Sequence, residues 1–306
     1  MPPIIYTSPS PKLEVASESL WTFIFRTTQH DPNLPAFLDA ATGRVLSRAD
    51  LRNLSLEFAH GIRTRLPQGN RLFRGDTAMI FGPNTIAWPI ALFGLIAGGV
   101  RTTLANSAYT PAELAFQYND SRARVVFSHP DLIPIVFAMF KHIGVSEGEA
   151  RRRLVVLDFG GNGAEVARKV GVLGLSDLFG HGALQEEEKF SGSQAGETLL
   201  LCYSSGTTGK AKGVEVCGSI SVSNLADVVP DNPSKSYRHV THGQGCAGTS
   251  SSPPRCSIRC SSILSHLWYV SPLSDSLHFA NTPRRSRHAS VISPLLWLPC
   301  GYLAQI

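Results

Sequence analysis

Short apolar runs alternate with stretches of helical periodicity between residues 45 and 158, and this alternation restricts the chain to few folds. Residues 77–81 (TAMIF) and 125–128 (VVFS) have the length and composition of buried strands. Between them, residues 110–113 (TPAE) combine a capping threonine, a proline in the first helical turn and a glutamate three residues after the cap. Alternating strands and helices predict an α/β fold with a largely parallel sheet and flanking helices.

The same patterns predict the individual elements. Ser47 is placed to cap a helix, because apolar residues follow it at helical spacing: Leu51, Leu54, Phe58, Ile62 and Leu66. The predicted strands lie at residues 77–81, 100–104, 125–128 and 154–158, and a helix is predicted over residues 85–98. Three aromatic residues in this region, Trp88, Phe93 and Tyr118, are interpreted as core packing.

A glycine-rich stretch follows another apolar run further along the chain. Residues 198–203 (TLLLCY) are predicted to form a buried strand, and residues 204–213 (SSGTTGKAKG) are predicted to form a loop. Glycines allow backbone N–H groups to approach an anion, hydroxyls add donors, and lysines supply positive charge. The spacing does not match a Walker A loop, since no Ser or Thr follows Lys210. The stretch therefore predicts a polyphosphate-binding loop of another kind.

Residues 204–214 (SSGTTGKAKGV) resemble the signature loop of the adenylate-forming, or AMP-binding, superfamily. Residues 75–100 and 105–132 also resemble segments of this superfamily, and the similarity is greatest to acyl- and coumarate–CoA ligases. The resemblance covers residues 20–216 and implies a partial adenylate-forming domain. Two positions depart from the family pattern, because Ala211 and Ser107 stand where relatives carry proline.

The resemblance implies an ATP-dependent acyl-CoA ligase. In such enzymes a carboxylate attacks the α-phosphorus of Mg-ATP, pyrophosphate leaves, and the thiol of coenzyme A displaces AMP from the acyl-adenylate. The implied cofactors are ATP, Mg²⁺ and coenzyme A, and the implied substrate is an aryl or fatty carboxylic acid. Carried over from the family motif, the phosphate-binding residues are Ser204, Ser205, Gly206, Thr207, Thr208, Gly209 and Lys212.

Two other lysines of the family pattern are not assigned to phosphate binding. Lys210 occupies a position that varies in the family, so we interpret it as a solvated charge. The adenylation lysine of relatives lies in a C-terminal domain that has no counterpart in this sequence, and no catalytic residue is assigned. No metal site is predicted either, because Cys256, Cys260 and His266 lack a second matched pair of ligands.

The sequence changes character after residue 216. Residues 217–306 hold 18 serines and eight prolines, no glutamate and no family motif. The resemblance and this composition together imply three regions: an N-terminal arm (1–19), a partial adenylate-forming domain (20–216) and a poorly structured, disordered tail (217–306). A retained intron or a shifted reading frame would produce such a tail, and a transcript read across codon 217 tests that hypothesis.

Charge and apolar segments restrict the partners and the location. Of the net charge of +5, residues 216–306 contribute +4, so the basic character belongs to the tail and no nucleic-acid partner is predicted. Residues 289–306 are apolar but contain Pro294 and Pro299, which argues against a membrane span. The sequence has no secretory signal and does not end in a peroxisomal tripeptide, so an intracellular location is predicted.

Two alternatives remain open at this point. The first is a truncated, catalytically inactive fragment of such a ligase, because the family's motifs are missing after residue 216. The second is a dinucleotide-binding oxidoreductase, for which residues 160–163 (GGNG) after the strand at 154–158 are the nearest match. The pattern fails beyond Gly163, so we discount the second alternative.

Overall fold

A seven-stranded sheet lies at the centre of the protein in a computed structural model, which describes residues 19–25, 31–39, 42–204 and 211–218. A small antiparallel hairpin of β1 (Pro35–Leu38) and β2 (Val45–Ser47) lies apart from this sheet. The spatial order of the large sheet is β7 (Leu173–Gly174), β6 (Leu154–Val156), β5 (Val125–Ser128), β3 (Thr77–Phe81), β4 (Arg101–Ala105), β8 (Thr198–Ser204) and β9 (Lys212–Cys217). Neighbouring strands are parallel except β8 and β9, which confirms the largely parallel sheet.

Helices cover both faces of the sheet. They are α1 (Leu20–Phe25), α2 (Arg48–Thr64), α3 (Ala87–Ala97), α4 (Pro111–Asp120), α5 (Ile133–His142), α6 (Glu147–Arg152) and α7 (Gly163–Val170). Alternate residues of β3 enter two separate cores, with Ala78 and Ile80 in one and Met79 and Phe81 in the other. The first core includes residues of α1, α2 and α3, and the second includes residues of α4, α5, α6 and α7. Because successive residues of β3 face opposite sides of the sheet, helices pack on both faces and the domain has three layers.

Capping boxes set the starts of the two helices that the sequence identified. Ser47 Oγ accepts a hydrogen bond from the Asp50 N–H at 3.0 Å, and α2 begins at the next residue. In α4, Glu113 Oε2 accepts from the Thr110 N–H at 2.8 Å, while Thr110 Oγ1 accepts from the Glu113 N–H at 3.4 Å. Both starts are confirmed, because each cap satisfies backbone donors that have no partner within the helix.

The other predicted elements agree with the structure to within a few residues. The strand predicted over residues 154–158 ends at Val156, because Asp158 already turns the chain into α7. Leu51, Phe58 and Ile62 are fully buried, as the helical pattern of α2 predicts. Phe93 and Tyr118 are also buried, which confirms their interpretation as core residues.

Strand β9 is the main difference between the predicted and the observed secondary structure around the glycine-rich stretch. The predicted loop covered residues 204–213, yet Lys212 and Gly213 already belong to an antiparallel strand, residues 212–217, that pairs with β8. Lys212 and Glu215 are exposed, so the strand has no continuous apolar run. Its backbone hydrogen bonds with β8 form although these side chains are polar.

Several sequence predictions concern residues outside the described ranges. They include the arm up to residue 18, the tail from residue 219, the apolar segment 289–306 and the cysteines within that tail. Among the helices of the described ranges, none is both long and apolar enough to cross a bilayer.

Candidate functional site

The hairpin of β8 and β9 carries the two ends of the predicted phosphate-binding loop. Ser204 is the last residue of β8 and pairs with Lys212, the first residue of β9. The structure thus brings together the first and last of the predicted site residues. The remaining predicted residues lie outside the described ranges: Ser205, Gly206, Thr207, Thr208 and Gly209.

Ser204 lies at the edge of the sheet where open α/β proteins bind ligands. Strands β3, β4 and β8 are parallel, so Ser204 shares an edge with Phe81 and Ala105, the last residues of the other two strands. The helix after β3 packs on one face of the sheet and the helix after β4 packs on the other. Loops that diverge in this way leave a crevice at the carboxyl ends of the strands.

The side chains of Ser204 and Lys212 are uncommitted. Neither forms a side-chain hydrogen bond or an ion pair with another residue in the described part of the chain. Lys212 is exposed and Ser204 is half-buried. A free hydroxyl and a free ammonium group fit the oxygen atoms of a polyphosphate, since both donate hydrogen bonds and the ammonium adds charge.

Tyr203 connects this hairpin to α4. Its hydroxyl donates a hydrogen bond to Asp120 Oδ2 at 2.5 Å, and its ring is buried. Burial and then the interaction with Asp120 raise the pKa of Tyr203, so the phenol remains a donor at neutral pH. A Cβ atom added at Gly213 would lie 3.1 Å from Tyr203 Cζ, so glycine on β9 leaves room for the ring.

Helix α4 is in turn bound to β4 by a buried amide. Gln117 Nε2 donates to Thr103 Oγ1 at 2.8 Å and to the carbonyl oxygen of Leu104 at 3.0 Å. Thr103 Oγ1 donates to the carbonyl oxygen of Leu201 on β8 at 3.4 Å. A polar chain therefore runs from α4 through β4 to β8, beneath the strand that ends at Ser204.

The segment that enters β8 is held by Arg74. Its guanidinium forms two hydrogen bonds with the carboxylate of Glu197, at 3.0 and 3.2 Å, and contacts Glu188 Oε2 at 3.3 Å. It also lies over the ring of Phe190, with Cζ 4.5 Å from the ring centroid. Burial opposes ionisation of Glu188, but hydrogen bonds and charge from Arg63 and Arg74 hold the pKa of this carboxyl below its ordinary value.

We expect Arg74→Ala to lower the free energy of unfolding by about 2 kcal/mol, since it removes charge-assisted hydrogen bonds and leaves Glu188 with one cation. Urea denaturation of the full chain measures this effect. Arg65→Ala is the matched control, because Arg65 is exposed and forms no ion pair in the described part of the chain. Equal stability of the two variants would contradict the role of Arg74.

The Asp158 side chain lies against the glycine-rich segment at residues 160–163. Asp158 Oδ2 accepts a hydrogen bond from the Gly163 N–H at 2.7 Å, at the start of α7. A Cβ atom added at Gly161 or Gly163 would lie 2.6 or 2.4 Å from atoms of the Asp158 side chain. A carboxylate thus fills the position that a dinucleotide pyrophosphate would need, which supports the rejection of the oxidoreductase alternative.

No local sequence signal identifies the residues that surround the hairpin. Tyr203 and Asp120 are 83 residues apart, and no periodicity or spacing relates them. Glu215 accepts a hydrogen bond from Thr198 Oγ1 at 2.7 Å across β8 and β9. Within the described ranges, no group of three or more His, Cys, Asp or Glu side chains could hold a metal ion.

A parallel α/β sheet with a glycine-rich turn after one of its strands is typical of nucleotide-binding domains. Residues 24–237 match the AMP-binding enzyme family, and the chain belongs to that family. Among curated relatives, 4-coumarate–CoA ligase-like 3 of Oryza sativa subsp. japonica is 29% identical over 231 residues, which cover 69% of this chain and 35% of the relative. The 4-coumarate–CoA ligase 5 of the same organism is 30% identical over 72% of this chain and 36% of its own length.

Solved structures share the fold. A long-chain-fatty-acid–CoA ligase from Archaeoglobus fulgidus aligns with a TM-score of 0.57 and 22% identity, over 72% of this chain and 41% of its own. A benzoate CoA ligase from Burkholderia xenovorans aligns with a TM-score of 0.52 and 20% identity, over 66% of this chain and 35% of its own. The chain spans about a third of the length of the curated relatives that it matches.

Proposed function

We propose that this chain supplies the polyphosphate-binding part of an ATP-dependent acid–thiol ligase of the acyl-CoA synthetase type. The pairing of Ser204 with Lys212 at the carboxyl end of β8 carries the proposal, because it brings together a hydroxyl and an ammonium group that have no side-chain partner among the described residues. Membership of the AMP-binding enzyme family supports the assignment of ATP as the ligand.

The residues at this turn would act on the phosphates of ATP. Ser204 would donate a hydrogen bond, and Lys212 would neutralise part of the charge that builds on the departing pyrophosphate. The intervening residues of the family motif, from Ser205 to Gly209, would add backbone and hydroxyl donors. Donors fixed around the leaving group stabilise the transition state electrostatically, which is the main source of catalysis in phosphate chemistry of this kind.

The substrate of the proposed reaction is an aryl or fatty carboxylic acid. The relatives and structural neighbours include CoA ligases named for coumarate, benzoate, anthranilate and long-chain fatty acids. Coenzyme A is therefore the proposed acceptor of the acyl group. Mg²⁺ is proposed as the ion that accompanies ATP, because it binds phosphate oxygens and neutralises part of their charge.

Exchange of labelled pyrophosphate into ATP tests this function on the full 306-residue chain. We expect exchange that depends on an added acid, with coumarate, benzoate and a long-chain fatty acid as the first three compounds. A separate titration of ATP, followed by ³¹P NMR, reports on binding alone. Background exchange with every acid would contradict ligase activity in this chain and favour the inactive alternative, while loss of ATP binding as well would contradict the nucleotide site.

We expect Lys212→Ala to raise the dissociation constant for ATP about tenfold, because it removes a charge-assisted hydrogen bond to phosphate. The ³¹P NMR titration measures the change. Lys210→Ala is the matched control, since it removes the same charge from the same stretch and should leave the affinity within about twofold. Equal losses in both variants would mean that Lys212 acts only through net charge.

A further inference from the structure

We propose that Tyr203 and Asp120 act as a pair that positions both ends of the phosphate-binding turn. This inference rests on the proposed function, because it assigns the pair a role in polyphosphate binding. Neither residue is placed in contact with the ligand, so both are positioning residues.

The first observation is the location of Tyr203 within the hairpin. It immediately precedes Ser204 on β8, and its partner across the hairpin is Gly213, which immediately follows Lys212 on β9. The tyrosine ring lies close against Gly213, because a Cβ atom added there would lie 3.1 Å from Tyr203 Cζ, nearer than an ordinary contact. One side chain therefore contacts both strands at the step before the turn begins. A change in its position moves Ser204 and Lys212 together.

The second observation is the fixed point to which Tyr203 is bound. Asp120 is the last residue of α4, where the helix dipole disfavours a carboxylate. In the described part of the chain, Asp120 forms no ion pair, and the hydroxyl of Tyr203 is its hydrogen-bond donor. A phenylalanine at residue 203 would fill the buried ring site equally well, so the hydroxyl serves the contact with Asp120.

The third observation is that α4 is a rigid support. Gln117, on the same helix, is buried and is bound to β4 through Thr103 and the carbonyl oxygen of Leu104. Strand β4 is paired with β8, so the contact between Tyr203 and Asp120 closes a loop of interactions from β8 through α4 and β4 back to β8. A closed loop of this kind restricts the hairpin more than strand pairing alone.

The experiment measures the affinity of the full chain for ATP in single and double variants, again by ³¹P NMR titration. We expect Tyr203→Phe and Asp120→Ala each to raise the dissociation constant about tenfold. The double variant should lose no more than either single variant, because the two residues act through one contact. Asp120→Asn retains a carbonyl acceptor for the phenol and should recover most of the affinity.

Tyr118→Phe is the matched control. It removes a tyrosine hydroxyl from α4, the helix that also carries Asp120. This hydroxyl donates to the carbonyl oxygen of Arg124 at 3.4 Å, a contact that does not involve the hairpin. Its ATP affinity should equal that of the unmodified chain. Melting temperatures of all variants show whether each protein is folded at the temperature of the titration.

The outcomes separate this inference from the function on which it rests. If the unmodified chain binds ATP and Tyr203→Phe binds equally well, the positioning role is wrong and the proposed site remains. Additive losses in the double variant, or equal losses in Tyr118→Phe, would also overturn the role of the pair. If the unmodified chain does not bind ATP, both the proposed function and this inference are wrong.

Discussion

Replacing Gly61 by alanine is expected to lower the free energy of unfolding by about 3 kcal/mol. A Cβ atom at residue 61 would lie 2.3 Å from the carbonyl oxygen of Leu178 and 2.8 Å from its Cβ. Leu178 belongs to a 3₁₀ turn, Leu175–Leu178, that packs on α2. A backbone atom cannot rotate away as a side chain can, so the turn or the helix must shift.

Two further contacts prevent an easy shift of this segment. The Gly180 N–H donates to Glu57 Oε2 at 3.1 Å, and the Leu184 N–H donates to the carbonyl oxygen of Leu56 at 3.1 Å. Both acceptors lie on α2, on the turns before Gly61. Movement of the turn away from the helix would therefore break these hydrogen bonds as well.

The sign of the change in the free energy of unfolding distinguishes an effect of tertiary packing from an effect of helix propensity. Helix propensity alone predicts that alanine in the interior of α2 stabilises the protein by about 1 kcal/mol. Gly148→Ala in the first turn of α6 is the matched control, because no atom lies within 4 Å of a Cβ placed there, and it should not destabilise the protein. Urea denaturation measures both variants. A Gly61→Ala protein as stable as the unmodified chain would contradict the packing of the 3₁₀ turn on α2.

Replacing Phe58 by alanine is expected to cost about 4 kcal/mol, a large part of the stability of an ordinary domain. Phe58 is fully buried on α2, and its ring centroid lies 5.2 Å from that of Phe127 on β5. It also lies under α3, where a Cβ added at Gly94 would approach Phe58 Cδ1 to 2.4 Å. One side chain thus fills the space among two helices and the sheet, and its removal leaves a cavity that none of the three can close alone.

Phe116→Ala provides the comparison for this variant. Phe116 lies on α4 and is 40% exposed, so its removal should change stability by less than about 1 kcal/mol. Phe58→Leu should recover part of the loss, since leucine restores much of the buried apolar volume. Denaturation midpoints with unchanged slopes would confirm that the variants alter stability rather than the unfolded state. Similar losses for residues 58 and 116 would show that burial does not determine the cost.

Much of the fold was predictable because the sequence signals for its helices and strands involve residues close together in the chain. The capping boxes at Ser47 and Thr110 involve residues three positions apart, and both are present in the structure. The apolar runs of β3, β5 and β8 are continuous because these strands are covered on both faces. The edge strand β9 has no such run, and only its pairing with β8 identifies it.

The candidate site likewise has one part that local sequence predicts and another that depends on contacts between distant residues. The motif from Ser204 to Lys212 was visible as a local stretch of glycine, hydroxyl and lysine residues, whose chemistry follows from residue type alone. The pairing of its two ends across the hairpin, however, depends on the register between β8 and β9. The support from Asp120 depends on a contact between elements that are distant in the chain.

By itself, the sequence determined the class of fold and the starts of its two best-capped helices, and it predicted a polyphosphate ligand for the glycine-rich stretch. Each of these depends on neighbouring residues, whose periodicity, caps and donors are local properties of the chain. Only the tertiary structure decided that Tyr203 meets Asp120, that Gly61 must lack a side chain, and that Asp158 fills the glycine turn before α7. Those features arise where separate elements pack together, and the distances between packed elements are set by the whole core rather than by any single segment.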